Sequence, residues 1–204
     1  MIKKFIISTI IILATAISLN AATSAATLLN TAADRLARSK SIVATYRIKT
    51  DGQSLKGSIV VSRDRFTIDA TSIRSWFDGT TQWTYMADVN EVNVTEPTPE
   101  EIAQVNPFAI INSFRNAYKS SIVSSSGGNT TIRLEPKSPS KEIKNVIISI
   151  DDRTFFPSRI VITTSTGSTM TIDILSISEG QILPDSYFRY DKKILPGVEV
   201  IDLR

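Results

Sequence analysis

The chain has 204 residues, 42% apolar and 21% charged, a composition that builds a sizeable core and excludes a disordered chain. Lys and Arg number 23 against 20 Asp and Glu, a net charge of +3; without Lys3 and Lys4 the net is +1, too balanced for a nucleic-acid partner. There is no His and no Cys, which excludes Ser-His-Asp and Cys-His catalysis, the usual zinc sites, a disulfide framework and lipidation of the chain itself.

The N-terminus reads as an export signal. Lys3 and Lys4 precede an apolar run from Phe5 to Leu19, and Leu19-Asn20-Ala21 supplies small residues for cleavage. The run is roughly 15 residues, short of the ~20 a membrane span needs. Residues 1–21 are therefore expected to be removed, leaving 22–204 as a single domain in the space beyond the inner membrane.

The mature chain opens with a predicted helix from Ala26 to Ala37, which places Leu28, Leu29, Ala32, Ala33 and Leu36 on one stripe. From Ser41 the period changes to two. Ile42, Ala44, Tyr46 and Ile48 alternate with Val43, Thr45, Arg47 and Lys49; after the Asp51-Gly52 turn, Leu55, Gly57, Ile59 and Val61 share a face. Arg63-Asp64 interrupts, and Phe66 and Ile68 continue. Ile73–Phe77 and Gln82–Met86 flank Asp78-Gly79 as a hairpin, and Glu91–Thr95 follows.

The texture then changes. Thr98-Pro99-Glu100-Glu101 and Asn106-Pro107 are helix entries, the second leading into Phe108–Phe114, a short segment apolar almost all round. Such a helix is either core or a lid over an apolar cavity. Strands resume at Ser120–Ser124 and Thr130–Glu135, then through Val146–Ile150, Ile160–Ile162 and Met170–Ile174. About ten strands with short turns and no βαβ rhythm predict a mainly β (α+β) fold: an incomplete antiparallel β-barrel, or strongly curved sheet, with helices covering its mouth.

Catalytic chemistry is sparse. Asp151-Asp152 sits in a predicted turn, and Glu100-Glu101 in a helix's first turn. No catalytic residue, metal site or cofactor is expected. Trp76 and Trp83 flank a hairpin turn, where cross-strand packing is the plainer reading and a sugar platform the other.

At Asp78-Gly79-Thr80-Thr81-Gln82-Trp83-Thr84-Tyr85 the chain resembles the periplasmic lipoprotein carriers of LolA type, which have a DG-x-x-x-W-x-Y hairpin here. The break at Ser62-Arg63-Asp64-Arg65-Phe66 resembles that family's Arg-containing strand junction. Asn106-Pro107-Phe108-Ala109-Ile110-Ile111 resembles its lid helix, and Phe188-Arg189-Tyr190 with Pro196-Gly197-Val198-Glu199-Val200-Ile201-Asp202 its tail.

The resemblance implies a non-enzymatic, monomeric carrier. It would take acylated lipoproteins from an inner-membrane ABC lipoprotein-releasing transporter and deliver them to an outer-membrane acceptor. It also implies that an Arg matching Arg63, with Arg65 as the alternative, latches the lid by hydrogen bonds. By alternation Arg63 falls on the Leu55–Ile59–Val61 face, which points it inward. Phe66, Ile68, Trp83, Tyr85, Phe108, Ile110, Ile111 and Phe114 are expected to line or cover the acyl cavity. Two other classes stay open: a lipid- or lipoprotein-sensing module of the same fold, and an exported glycan-acting enzyme, for which no carboxylate pair is evident.

Overall fold

Among the described residues twelve strands form, where the alternation predicts about ten, and all belong to one sheet. The computed structural model describes residues 24–138 and 142–204; the predicted export segment, residues 1–21, lies outside the described residues. Helix α1 spans Ala25–Arg38 and starts where the Ser24 hydroxyl accepts a hydrogen bond from the Thr27 amide. It buries Leu28, Leu29, Ala32 and Leu36 of the expected stripe, and Ala33 is partly buried.

Six strands follow as a meander: β1 Ser41–Thr50, β2 Gln53–Ser62, β3 Arg65–Ala70, β4 Ile73–Phe77, β5 Gln82–Met86 and β6 Glu91–Thr95. The first hairpin closes on Asp51 and Gly52, both at positive φ (46° and 78°), the backbone that a two-residue turn between twisted strands requires. Helices α2, Pro99–Val105, and α3, Pro107–Ala117, come next. The chain then lays down β7 Tyr118–Ser126, β8 Asn129–Pro136, β9 Ile143–Asp151, β10 Pro157–Thr164 and β11 Thr169–Gly180.

Strand order is β12-β6-β5-β4-β3-β2-β1-β11-β10-β9-β8-β7, where β12 is Glu199–Asp202. The two meanders thus join at the centre, where β1 pairs antiparallel with β11 from Ser41–Gly180 to Thr50–Met170. Opposite Thr45 and Tyr46 the register skips Leu175, a bulge in β11, a device that bends a strand and sharpens its twist. The sheet curves but does not close, leaving β7 and β12 as its edges. After β11 the chain runs through a short 3-10 helix, Asp185–Phe188, to the far edge, where β12 pairs parallel with β6.

Period-2 alternation gives the sheet a buried inner face. Ile42, Ala44, Tyr46, Ile59 and Val61 pack there with α1 and α3. Gly57 lies directly across from Tyr46, and a β-carbon at Gly57 would meet the Tyr46 hydroxyl at 2.7 Å and the Asp69 carbonyl at 3.0 Å. The missing side chain is what admits the phenol.

Burial, with the Asp69 charge adding to it, pushes the Tyr46 pKa up to about 12. The native state therefore holds this proton more tightly than the unfolded chain, whose phenol titrates near 10. Its contribution to stability is complete below about pH 10 and is lost as pH rises through about 12. We expect denaturation midpoints measured between pH 9 and 12 to fall in the native chain and to fall less steeply in Tyr46→Phe; parallel curves for the two would contradict this.

Candidate ligand cavity and its lid

Register decides which side chains face inward. Val61, Phe66 and Phe77 stand directly opposite one another on β2, β3 and β4, as do Ile59, Ile68 and Ser75. The Phe66 and Phe77 rings stack with centroids 5.1 Å apart. Beyond β1 the wall continues with Ile172, Ile160, Ile162, Val146, Ile148, Ile150, Ile132 and Leu134, all buried in the same core. This concave face is apolar over eight strands.

Three helices, α1, α2 and α3, pack against it. Helix α3 begins at Asn106, whose side-chain oxygen accepts from the Phe108 amide at 3.1 Å, with Pro107 in the first turn. Asn106 also ends α2, its amide donating to the Ile102 carbonyl at 2.8 Å, so the two helices share one buried elbow residue. At the other end of α2, Thr98 and Glu101 form a capping box. Hydrogen bonds from the Thr98 backbone and hydroxyl hold the Glu101 carboxyl below the usual carboxylate range.

Phe108, Ile110, Ile111 and Phe114 are each at most 3% exposed. They share one broad side of α3, which has α1 and α2 as neighbours and the sheet beneath. The other side is exposed at Asn112 and Asn116, so the helix is two-faced rather than apolar almost all round, as Phe108–Phe114 had suggested.

The interior is nearly full. A cavity of about 250 Å³ remains where the end of α1 (Leu36, Ala37) meets α3 (Phe108, Asn112), Ile42, Val61 and the β2–β3 turn (Arg63, Asp64). Arg63 thus sits beside α3 at the rim. It does not continue the inward face of β2 as alternation had placed it. The strand ends at Ser62, whose hydroxyl donates to the Lys40 carbonyl at 2.9 Å, and Arg63 takes a left-handed turn conformation (φ 59°) with its side chain exposed. Among the described residues it makes no hydrogen bond or ion pair.

Arg65, the alternative latch, is on the opposite face. Its guanidinium pairs with Asp185 and lies 4.7 Å from the Phe188 ring centroid. It anchors the C-terminal segment, not the lid.

Trp83 and Tyr85 are likewise on the outer face, contrary to expectation. The loop Asp78–Thr81 puts Phe77 opposite Gln82 and Trp76 opposite Trp83, so the inward residues of β5 are Gln82 and Thr84. Asp78 fixes this loop by accepting hydrogen bonds from the amides of Thr80 and Thr81. Trp76, Val92, Val94 and Phe188 are buried apart from the main core. There Tyr190 packs on Trp76 at 5.5 Å, and Arg189 bonds Asp78 at 3.0 Å. Trp76 thus supports the C-terminal segment as it crosses to the far edge.

Of the eight expected lining residues, six converge: Phe66, Ile68, Phe108, Ile110, Ile111 and Phe114. Phe77 and the α1 residues Leu28, Leu29, Ala32 and Leu36 belong with them and were missed as lining. Hairpin parity would have found Phe77, because Phe66 stands opposite it and Trp76 cannot share its face.

Asp151 is a turn residue, accepting from the amides of Arg153 and Thr154 and from the Thr154 hydroxyl, and these bonds, those from Thr154 foremost, hold its carboxyl low. Among the described residues no group of three or more His, Cys, Asp or Glu is placed to hold a metal ion, and no helix is long and apolar enough to cross a membrane.

The family model described as outer membrane lipoprotein carrier protein LolA matches residues 16–166. No curated protein matches the sequence. A conserved protein from Thermus thermophilus superposes with a TM-score of 0.58 at 10% identity, over 85% of this chain and 98% of that one, and shares the fold. A LolA superfamily protein from Nitrosomonas europaea gives 0.45 at 13% identity, over 83% of this chain and 99% of its own. An outer membrane lipoprotein-sorting protein domain from Vibrio parahaemolyticus gives 0.44 at 13%, over 82% and 97%.

Proposed function

The chain belongs to the LolA family of outer membrane lipoprotein carrier proteins, and from this premise we propose that it carries acylated lipoproteins through the periplasm, exchanging its own lid helix for their acyl chains. It takes the passenger from an inner-membrane ABC transporter, delivers it to an outer-membrane acceptor, and makes or breaks no covalent bond.

The observation that carries this reading is the buried apolar side of α3 lying against a curved apolar wall. A diacyl anchor of about thirty methylenes gains on the order of 20 kcal/mol on leaving water, at ~0.8 kcal/mol each. Unopposed, that affinity would make delivery impossible. Swinging α3 out returns four large side chains to water at about 1.5–3 kcal/mol each, offsetting about 6–12 kcal/mol. The lid keeps the net affinity moderate and shuts the interior once cargo has left. Phe66, Ile68 and Phe77 line the opened cavity. Arg63 lies at the rim beside Phe108 and Asn112 but bonds neither with α3 packed in place, so in this reading the closed helix is held by its apolar packing rather than by an Arg latch.

The test is native mass spectrometry on protein purified from the periplasm, and on protein incubated with lipoprotein-bearing vesicles. Co-purified acylated protein, or its acquisition from the vesicles, is the expected result. A chain that stays empty in both sinks the proposal.

A further inference from the structure

Across the concave face the cross-strand rows change chemistry at β4. One row runs Ile59, Ile68, Ser75, Thr84, Asn93 from β2 to β6, and the row beside it ends in Gln82 and Thr95. The β2 and β3 members are buried and apolar; the β5 and β6 members are polar and half-buried. Ser75 and Thr84 hydroxyls lie 2.7 Å apart, and the Gln82 amide donates to both, at 3.2 and 3.1 Å. The Asn93 carboxamide, next along the row, has no side-chain hydrogen bond among the described residues.

A wall meant only for hydrocarbon would not carry these groups, because methylenes laid over them would leave hydroxyls and amides desolvated and unpaired. A wall whose apolar part runs without a break into a neutral hydrogen-bonding strip fits an amphiphile. The strip's donors and acceptors carry no charge, so it suits ester carbonyls and peptide amides better than a free carboxylate.

We propose that Ser75, Thr84 and Asn93 form the subsite for the polar linker of the acylated passenger, the ester and first peptide groups that join acyl chains to the folded protein. This rests on the carrier reading. The strip holds the linker while the Phe66–Phe77 side takes the chains, so the site selects acylated peptides over free fatty acids.

The experiment compares the mature chain with Asn93→Val and, separately, Thr84→Val, since β-branched residues keep the strand. A synthetic diacylated lipopeptide and palmitate are titrated against each. Lipopeptide affinity should fall about five- to tenfold in each variant, the effect of losing one or two hydrogen bonds, while palmitate affinity holds. Unchanged lipopeptide binding in both variants, or equal losses for both ligands, overturns the subsite. Should the unaltered chain bind neither ligand, the carrier reading itself fails, and that outcome is distinct from loss of selectivity. Thr84→Val supplies the readout if Asn93→Val does not fold.

Discussion

Phe66→Ala is expected to destabilise the protein by about 3–5 kcal/mol, the usual range for emptying a buried aromatic site. Phe66 is fully buried, stands opposite Val61 and Phe77 in the sheet, and stacks on the Phe77 ring. The phenyl site is walled by β-strands on either side, so collapse around the cavity is limited and the loss lies toward the upper end. Domains are stable by only about 5–15 kcal/mol, so this one ring carries a large share. For a chain of this size the melting midpoint should drop by about 6–20 °C. Trp83→Ala should cost less, because Trp83 is only half-buried on the outer face. Thermal and urea unfolding measure both. An equal or greater loss for Trp83→Ala would mean that the two faces have been assigned the wrong way round.

The second large effect concerns the lid. The chain has no cysteine, so thiols placed at Arg63 and Asn112 form a unique pair. Both residues line the cavity of about 250 Å³ between the β2–β3 turn and α3. Binding pockets for drug-sized ligands run from about 300 to 1,000 Å³, so this cavity takes an acyl chain only if α3 withdraws. Bridging the two thiols with a short bis-maleimide should cut uptake of a fluorescent diacyl lipopeptide by at least about tenfold. Each single-cysteine variant, capped with a simple maleimide, should retain uptake. Full uptake by the bridged protein would show that α3 is fixed core and that cargo enters elsewhere.

Much of the architecture was legible because burial on one side of a strand writes a period of two. Ile42, Ala44 and Tyr46, then Ile59 and Val61, declare their inner face without help. Helix α3 was legible from its Asn106-Pro107 start and its dense apolar residues, although its exposed side at Asn112 and Asn116 makes it two-faced. Three things were not readable in the local pattern. The parity of a strand after a loop depends on how many residues the turn absorbs, and Asp78–Thr81 absorbed enough to send Trp83 and Tyr85 outward. Alternation assumes the strand continues, but β2 stopped one residue before Arg63. The partner of Arg65 lies 120 residues away in the C-terminal segment, and the direction of β12 against β6 depends on a path that no short window contains.

The seam between β1 and β11 has a consequence for how the molecule is made. Ser41 bonds the backbone of Gln181, 140 residues further on, so one side of β1 has no partner until nearly the whole chain is present. A chain delivered from its N-terminus must wait with that strand edge bare, and native topologies built on such distant pairings form slowly, in milliseconds to seconds. The sheet's most central joint is the last of its large ones to close. An assembling chain therefore exposes a sticky edge while it folds, and a holding factor would act on that interval.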